Sequence, residues 1–301
     1  MMNSYQYVII GGGIAGGRAC EGIRKLDREG SLALVTQEPH RPYERPPLSK
    51  RYLRDEAGLD RVYLQPADYY QDNDVDLLQG VAATRLMPDA RRVELADGRA
   101  LEYEKLLLAT GGRAMRLPLP GSDLENVFTL RTIEDSQAIR QAAGSGKHAL
   151  VMGGSFIGAE AAASLAQLGL EVTEIFPESR LLELVVLPQV SEYLNTLYAK
   201  NGVRVLPGVV SDGLEGDGRV ERAVLDNGET LDIDLVVMGV GIKLNTSLAQ
   251  EAGLAVREGD GAIVVDEVLR TSDPHIYAAG DLAAWPDATF DQRLQVEHWD
   301  V

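Results

Sequence analysis

Cysteine is almost absent from this sequence. The chain of 301 residues contains one, Cys20. A structural disulfide within the chain and a redox-active cysteine pair are therefore both excluded. Cys20 comes four residues after Gly16, so the two residues share a face if the segment is helical. We expect Cys20 to be a small buried core residue rather than a reactive thiol.

Long apolar runs and positive charge are also scarce. No apolar run reaches the ~18 residues that a membrane-spanning helix needs, and the N-terminus lacks the basic start and apolar core of a signal peptide. We therefore expect a soluble, cytoplasmic protein that does not bind membranes. The 29 Lys and Arg residues are outnumbered by 46 Asp and Glu residues, and the net charge of −17 argues against nucleic-acid binding.

One stretch departs from this acidic balance. Residues 41–54 contain five Lys or Arg residues and a single acidic residue, Glu44. A local positive patch of this kind can attract an acidic partner or a phosphate group. An ordinary solvated loop would have the same composition, and the sequence leaves both interpretations open.

Glycine residues, in contrast, form a recognisable spaced motif near the N-terminus. An apolar run at residues 7–10 predicts a buried strand, and it ends in Gly-x-Gly-x-x-Gly at Gly11, Gly13 and Gly16. In a dinucleotide-binding βαβ unit the first glycine permits a tight turn, the second lets a pyrophosphate approach, and the third lets the helix pack on the strand. The phosphates would lie at the N-terminus of that helix. A glycine-rich turn without a nucleotide is the alternative.

The same pattern recurs 142 residues later. A strand predicted at residues 148–152 precedes Gly153, Gly154 and Gly158, with Ser155 in place of the middle glycine. Such an internal repeat predicts two dinucleotide-binding units. We therefore predict an α/β fold with two Rossmann-like domains, each with a β-meander.

Further segments suggest ligand contacts. Small residues end the strands before Gly111 and before Gly280-Asp281, and the Asp281 carboxylate can accept hydrogen bonds from sugar-alcohol hydroxyls. Four prolines within residues 39–47 exclude a regular helix there, and we expect a short helix over residues 48–53. This rigid segment carries Arg45 and Lys50, and Arg45 could bind a phosphate through paired N–H groups. The abrupt end of the chain suggests truncation.

Taken in order, these motifs resemble those of the FAD-dependent, NADH-using ferredoxin, rubredoxin and putidaredoxin reductases, which are related to apoptosis-inducing factor. The resemblance rests on residues 11–16, 41–50, 109–111, 153–158, 278–281 and 297–299. It implies the pyridine nucleotide-disulfide oxidoreductase fold without a redox disulfide. An FAD domain would comprise residues 1–113 and 246–301, and an inserted NAD domain residues 114–245. The family's C-terminal β-rich domain is not found in this sequence.

The resemblance also implies the site residues, and no metal site. Lys50 would lie near flavin N5, paired with Glu160, and these two are the predicted catalytic residues. Predicted FAD contacts are Gly11, Gly13, Ile14, Ala15, Gly16, Gln37, Glu38, Arg45, Lys50, Ala83, Ala109, Thr110, Gly111, Arg131, Gly280, Asp281, Glu297, His298 and Trp299. Predicted NAD contacts are Gly154, Ser155, Phe156, Ile157, Glu178 and Gly241.

The activity implied by the resemblance is electron transfer. A hydride from NADH would reduce FAD, and electrons would then pass singly to a small acidic iron–sulfur protein; the enzyme would be a monomer or homodimer. Glu178 would favour NADH by repelling a 2′-phosphate, although Arg180 is close to it in sequence. The segment from Ile175 to Glu178 is similar to the apoptosis-inducing-factor branch, and Lys243-Leu244-Asn245 replaces the family's Arg-Pro-Asn. An NADH:quinone or NADH:oxygen oxidoreductase and a redox-switched binding protein are the alternatives.

Overall fold

The structure is a computed structural model that describes residues 2–295. Three predicted cofactor contacts, Glu297, His298 and Trp299, lie outside the described residues. Within residues 2–295, no helix is long and apolar enough to cross a membrane.

The chain forms two compact units. The first unit contains the chain up to Glu44, Tyr63–Arg113, and the chain from Lys243 onward. The second unit contains Arg45–Val62 and Ala114–Ile242. The units therefore alternate along the chain, because each of them is built from more than one segment.

The strands are numbered in chain order. Those up to residue 114 are β1 (Met2–Ile10), β2 (Leu32–Val35), β3 (Val75–Leu78), β4 (Ala83–Met87), β5 (Arg92–Leu95), β6 (Ala100–Leu108) and β7 (Gly112–Ala114). Those from residue 127 to residue 244 are β8 (Val127–Thr129), β9 (His148–Met152), β10 (Glu171–Phe176), β11 (Val203–Pro207), β12 (Ser211–Glu215), β13 (Arg222–Leu225), β14 (Thr230–Asp232), β15 (Leu235–Met238) and β16 (Ile242–Leu244). The last four are β17 (Ile263–Val264), β18 (Ile276–Ala278), β19 (Ala283–Asp287) and β20 (Gln292–Leu294).

Among the described residues, the α-helices are fewer than the strands. They are α1 (Ile14–Leu26), α2 (Tyr69–Asp72), α3 (Ile133–Ala143), α4 (Phe156–Gln167), α5 (Pro188–Lys200) and α6 (Ser247–Glu251). Short 3₁₀ helices occupy Pro46–Ser49, Leu59–Arg61 and Pro88–Ala90.

The first unit is built on a mostly parallel sheet. Its parallel strands run in the order β3-β2-β1-β6-β18. The antiparallel hairpin of β4 and β5 joins the N-terminal part of β6 and forms the predicted meander. A small sheet of β17, β19 and β20 completes this unit. Because the carboxyl ends of parallel strands meet at one edge, the loops after β1, β6 and β18 are brought together.

Helix α1 covers one face of this sheet. Cys20 is fully buried and packs with Ile9, Leu32 and Leu34 of β1 and β2. Burial raises the pKa of the Cys20 thiol to about 11. The prediction of a small core residue in place of a reactive thiol is confirmed.

The second unit has the same architecture as the first. Its sheet is parallel throughout, in the order β11-β10-β9-β15-β8. Strands β12, β13 and β14 form an antiparallel meander, and the core lies between the sheet and this meander, around Leu150, Val236 and Ala223. The predicted α/β class with two Rossmann-like sheets is thus observed.

One segment belongs to a different unit than its place in the sequence suggested. Residues 45–62, which the prediction placed within 1–113, pack with the second unit. Buried serines hold the segment there: Ser136 Oγ donates to Leu48 O (2.8 Å) and Ser164 Oγ donates to Ser49 O (2.6 Å). The proline-rich stretch forms a 3₁₀ helix at Pro46–Ser49 in place of the predicted helix at residues 48–53.

Candidate dinucleotide-binding sites

The first glycine loop owes two of its glycines to packing. Gly11 has φ of +125°, and a Cβ there would lie 2.1 Å from the carbonyl oxygen of Ala109. A Cβ on Gly16 would lie 2.0 Å from the carbonyl oxygen of Gly11. Gly11 therefore lets β1 end against the loop after β6, and Gly16 lets α1 pack directly on β1.

Gly13 has a different environment. A Cβ placed on it meets nothing within 4 Å. It begins α1, which has no side-chain cap among the described residues and no acidic residue in its first turn. In contrast, α3 is capped by Thr132 and Asp135 in a capping box. The first amides of α1 are thus left for an anionic ligand, and space is open beside Gly13 to admit one.

The other strand ends of the first unit converge on this loop. Thr110 Oγ1 donates to Asn245 O (2.7 Å), and Asn245 Nδ2 donates back to Thr110 O (3.0 Å), which fixes the loop after β6. Gly280 has φ of +80°, and a Cβ there would lie 3.0 Å from Cβ of Ala15. The predicted residues of the glycine loop, the loop at 109–111 and Gly280-Asp281 are therefore brought together.

The end of β2 supplies polar groups. The Glu38 carboxylate accepts a hydrogen bond from the Tyr43 hydroxyl, and its backbone N–H donates to Thr36 Oγ1 (3.3 Å). Gln37 is exposed, and Ala83 is half-buried at the start of β4. A carboxylate held at this strand end has the chemistry to accept hydrogen bonds from ribose hydroxyls.

The second glycine loop repeats the packing of the first. Gly153 has φ of +120°, and a Cβ there would lie 2.3 Å from Gly239 O. A Cβ on Gly158 would lie 1.8 Å from Gly153 O. These three glycines were not among the predicted contact residues, although two of them stand at motif positions that correspond to Gly11 and Gly16.

Ser155 begins α4 without capping it. Its Oγ donates to Gly239 O (3.1 Å), so the side chain turns towards the end of β15. The next two side chains, Phe156 and Ile157, are exposed. As in α1, the first amides of α4 have no side-chain cap from the described residues.

Phe176 occupies the strand end where an acidic residue is usual. Its ring is fully buried, and a Cβ on Gly154 would lie 2.6 Å from it, so it packs beneath the second glycine loop. Glu178 follows, half-buried, and its buried Oε2 has no hydrogen-bond partner within the described residues. Gly241, after β15, has φ of +105° and accepts a hydrogen bond from Met115 N (2.9 Å).

The predicted catalytic pair is formed within the second unit. Lys50 Nζ lies 2.6 Å from Glu160 Oε2, and Ser49 Oγ donates to the same oxygen at 2.6 Å. Lys50 also donates to Pro46 O (3.3 Å). The two charged side chains remain 43% and 28% exposed. A cation thus stands at a fixed place next to the first turns of α4.

Arg45 and Arg131 are also brought together. An Nη1 hydrogen of Arg45 is donated to the backbone carbonyl of Arg131, and the Arg131 N–H donates to Asp135 Oδ2 (2.8 Å). The start of α3 and the proline-rich segment are therefore joined by these residues.

The two Rossmann-like units each place a helix without a side-chain cap from the described residues directly after a glycine loop. The chain belongs to the pyridine nucleotide-disulphide oxidoreductase family, whose model matches residues 5–301. This membership confirms the predicted family, fold class and enzyme class, and FAD and NAD(P)H are the cofactors of the family.

Individual relatives within this family are ferredoxin-type reductases. The chain is 40% identical to rhodocoxin reductase of Rhodococcus erythropolis over 93% of its own length and 65% of that protein. It is similar to the ferredoxin reductase for the CYP199A2 system of Rhodopseudomonas palustris (TM-score 0.93, 37% identity, 98% of this chain and 72% of that one). It is also similar to the reductase in a covalent putidaredoxin reductase–putidaredoxin complex (TM-score 0.93, 36% identity, 99% and 72%). The chain thus spans about two thirds to three quarters of these proteins.

Proposed function

We propose that this protein oxidises NADH and passes the electrons through FAD to a ferredoxin-type acceptor. The observation that carries the proposal is the duplicated glycine loop, because in each copy a helix without a side-chain cap from the described chain begins beside a strand end that carries a carboxylate. The comparisons with rhodocoxin, putidaredoxin and ferredoxin reductases support the choice of acceptor.

The first unit would hold FAD. Its loop at Gly11–Gly16 would take the pyrophosphate, the end of β2 with Glu38 the adenosine ribose, and Asp281 the ribityl hydroxyls. The open space beside Gly13 and the absence of a side-chain cap on α1 fit this group.

The second unit would hold NADH. Its loop at residues 153–158 would take the pyrophosphate and Glu178 the adenosine ribose. Gly241 would lie on the nicotinamide side. The buried Oε2 of Glu178 has no hydrogen-bond partner among the described residues, and a carboxylate oxygen can accept a hydrogen bond from a ribose hydroxyl.

Bound FAD would supply the exchange between a two-electron hydride donor and a one-electron acceptor. Lys50 contributes a fixed positive charge, which stabilises negative charge on a neighbouring group. Glu160 and Pro46 O orient the Lys50 ammonium group. The single buried cysteine excludes a dithiol relay, so the chain itself offers no thiol acceptor.

The test is an anaerobic mixing experiment on the FAD-loaded protein. NADH is expected to bleach the flavin absorbance rapidly, and addition of an oxidised [2Fe–2S] ferredoxin is expected to restore it. A persistent charge-transfer band that ferredoxin does not remove would favour the redox-switched binding protein. Reoxidation by a quinone or by oxygen but not by ferredoxin would favour those acceptors. A flavin that neither NADH nor NADPH reduces would contradict the proposal.

A further inference from the structure

The loop that follows β10 carries opposite charges close to the second glycine loop. Glu178 and Arg180 both lie in this loop. Because one is acidic and the other basic, the sequence alone does not decide between a preference for NADH and a preference for NADPH. The backbone ties the loop on both sides: Gly208 N donates to Glu178 O (3.0 Å), and Leu182 N donates to Gly154 O (2.8 Å). The two charged side chains are therefore carried by a loop that is fixed to the glycines.

Glu183 already engages the guanidinium of Arg180. Arg180 Nη1 donates to Glu183 Oε1 (3.0 Å), and Nη2 donates to the backbone carbonyl of Glu183 (3.2 Å). Both charged groups are about 70% buried at the side chain, with exposed fractions of 30% and 27%. Both terminal nitrogens of Arg180 therefore already donate to Glu183, whereas its buried Nε has no hydrogen-bond partner among the described residues. Another anion would have to compete with Glu183 for the paired terminal donors.

Glu183 is itself fixed by a second set of bonds. Ser179 donates to it twice, from N to Oε2 (2.8 Å) and from Oγ to Oε1 (3.0 Å). These hydrogen bonds, with the charge of Arg180 as a smaller cause, lower the pKa of the Glu183 carboxyl. Glu183 is therefore ionised at neutral pH and neutralises Arg180.

Glu178, unlike Glu183, has a carboxylate oxygen that is not used within residues 2–295. Its buried Oε2 has no hydrogen-bond partner among the described residues. A carboxylate with a free oxygen can accept from a ribose 2′-hydroxyl, whereas a 2′-phosphate needs a cation such as arginine. The loop thus leaves an acceptor oxygen of Glu178, the group that suits NADH, without a partner in the described part of the chain, and it engages Arg180, the group that suits NADPH.

We propose that Glu183 is a specificity-determining residue, which favours NADH by occupying the guanidinium of Arg180 that would otherwise bind a 2′-phosphate. This inference rests on the proposed binding of a pyridine nucleotide to the second unit. It assigns the preference to the Arg180–Glu183 ion pair together with Glu178, and not to Glu178 alone.

Calorimetric titration of the FAD-loaded protein with NAD⁺ and with NADP⁺ tests the proposal without turnover. Glu183→Gln keeps the shape of the side chain and an acceptor oxygen for Ser179, but removes the charge. We expect the ratio of the Kd for NADP⁺ to the Kd for NAD⁺ to fall roughly tenfold, the scale of one charge-assisted interaction with a phosphate. The double variant Glu183→Gln/Arg180→Gln is expected to restore the ratio of the parent protein.

A matched control is Glu192→Gln on α5, which removes the same charge from an exposed position and is expected to leave the ratio unchanged. An unchanged ratio in Glu183→Gln, or a fall that persists in the double variant, would overturn the inference. A parent protein that binds neither nucleotide would instead overturn the proposed function and this inference with it. Equal weakening of both nucleotides would show that Glu183 only supports the fold of the loop.

Discussion

Glu174 lies on β10 with none of its surface exposed, and neither carboxylate oxygen has a hydrogen-bond partner among the described residues. A Cβ on Gly158 would lie 3.5 Å from its Oε1, so the carboxyl group is placed beneath the start of α4. Burial raises its pKa from 4.5 to about 8. The carboxyl group is therefore protonated in the folded protein at neutral pH.

This buried acid predicts a specific dependence of stability on pH. Above about pH 4.5 the unfolded chain releases the proton, whereas the folded protein retains it until about pH 8. The contribution of Glu174 to the free energy of unfolding should therefore fall between these values, by about 1.4 kcal/mol per pH unit at most. Glu174→Gln should remove this slope and be more stable than the parent protein at pH 8.

Urea unfolding of both proteins at pH 5 and pH 8 measures the effect. The difference between the variant and its parent is the quantity to follow, because other carboxyls with lowered pKa values, such as Asp234 and Asp266, change stability at lower pH in both. Glu192→Gln, at an exposed site, should leave the slope unchanged. If the free energy of unfolding of the parent and of Glu174→Gln changed with pH in parallel, the pKa of Glu174 would not be raised and the prediction would be wrong.

Substitution of Lys50 should affect the rate of flavin reduction much more than the stability of the protein. Its ion pair with Glu160 is partly exposed, so we expect Lys50→Met to change the free energy of unfolding by less than about 1 kcal/mol. The same variant should slow flavin reduction by NADH by tenfold or more, because a fixed positive charge is lost, while FAD stays bound. Stopped-flow absorbance and thermal unfolding give the two values. A flavin reduced as fast as in the parent would remove Lys50 from the catalytic role.

At the scale of elements, we expect alanine substitutions at two glycines of the first loop to have different effects, one on stability and one on FAD binding. Gly16→Ala would force a methyl group against Gly11 O, so we expect lower stability of the apoprotein and a disturbed packing of α1 on β1. Gly13→Ala has open space and an ordinary extended backbone, with φ of −80°. It should fold like the parent protein but bind FAD more weakly, because the methyl group faces the space proposed for the pyrophosphate.

Thermal unfolding of the apoprotein and titration with FAD distinguish the two effects. Gly22→Ala in the middle of α1, where a Cβ also meets nothing within 4 Å, is the control and should be at least as stable as the parent. Unchanged FAD affinity in Gly13→Ala would place the cofactor elsewhere.

The elements show what the sequence could and could not predict. Apolar runs ending in glycine correctly predicted β9 and the end of β1, because strand and turn are local properties, whereas β1 begins at Met2 and not at the predicted residue 7. Helices α1 and α4 begin at Ile14 and Phe156, so residues of each glycine loop form the first helical turn. Membership of residues 45–62 in the second unit depends on hydrogen bonds from distant serines, which no local pattern reveals.

Side-chain roles were predicted less completely than the strands. The Arg180–Glu183 pair was missed because its meaning depends on which oxygen each nitrogen reaches. The burial of Glu174 had a signal that was not used: alternation along β10 places it on the same face as Val172 and Phe176, two apolar residues. The pairing of Lys50 with Glu160 came from the family resemblance, and the structure shows that contact.

At the scale of the whole molecule, net charge and local charge make opposite predictions about an acidic acceptor. The chain carries −17 and should repel such a protein, and added salt would then speed their reaction. The basic stretch at 41–54 should attract it, and added salt would then slow the reaction. Within this stretch Arg54 is engaged by Glu56 and Ser164, whereas Arg51 is exposed. Arg51 is therefore the better residue for a test.

We expect the local patch to dominate, because charges beyond a Debye length of about 8 Å at physiological ionic strength are largely screened. The second-order rate of reduction of an acidic [2Fe–2S] ferredoxin should fall as salt rises from low to moderate concentration. Arg51→Glu should lower that rate severalfold, while Arg28→Glu, an exposed site with the same change in net charge, should lower it much less. Equal effects of the two variants, or a rate that rises with salt, would mean that the acceptor responds to the net charge of the molecule and does not dock on this stretch.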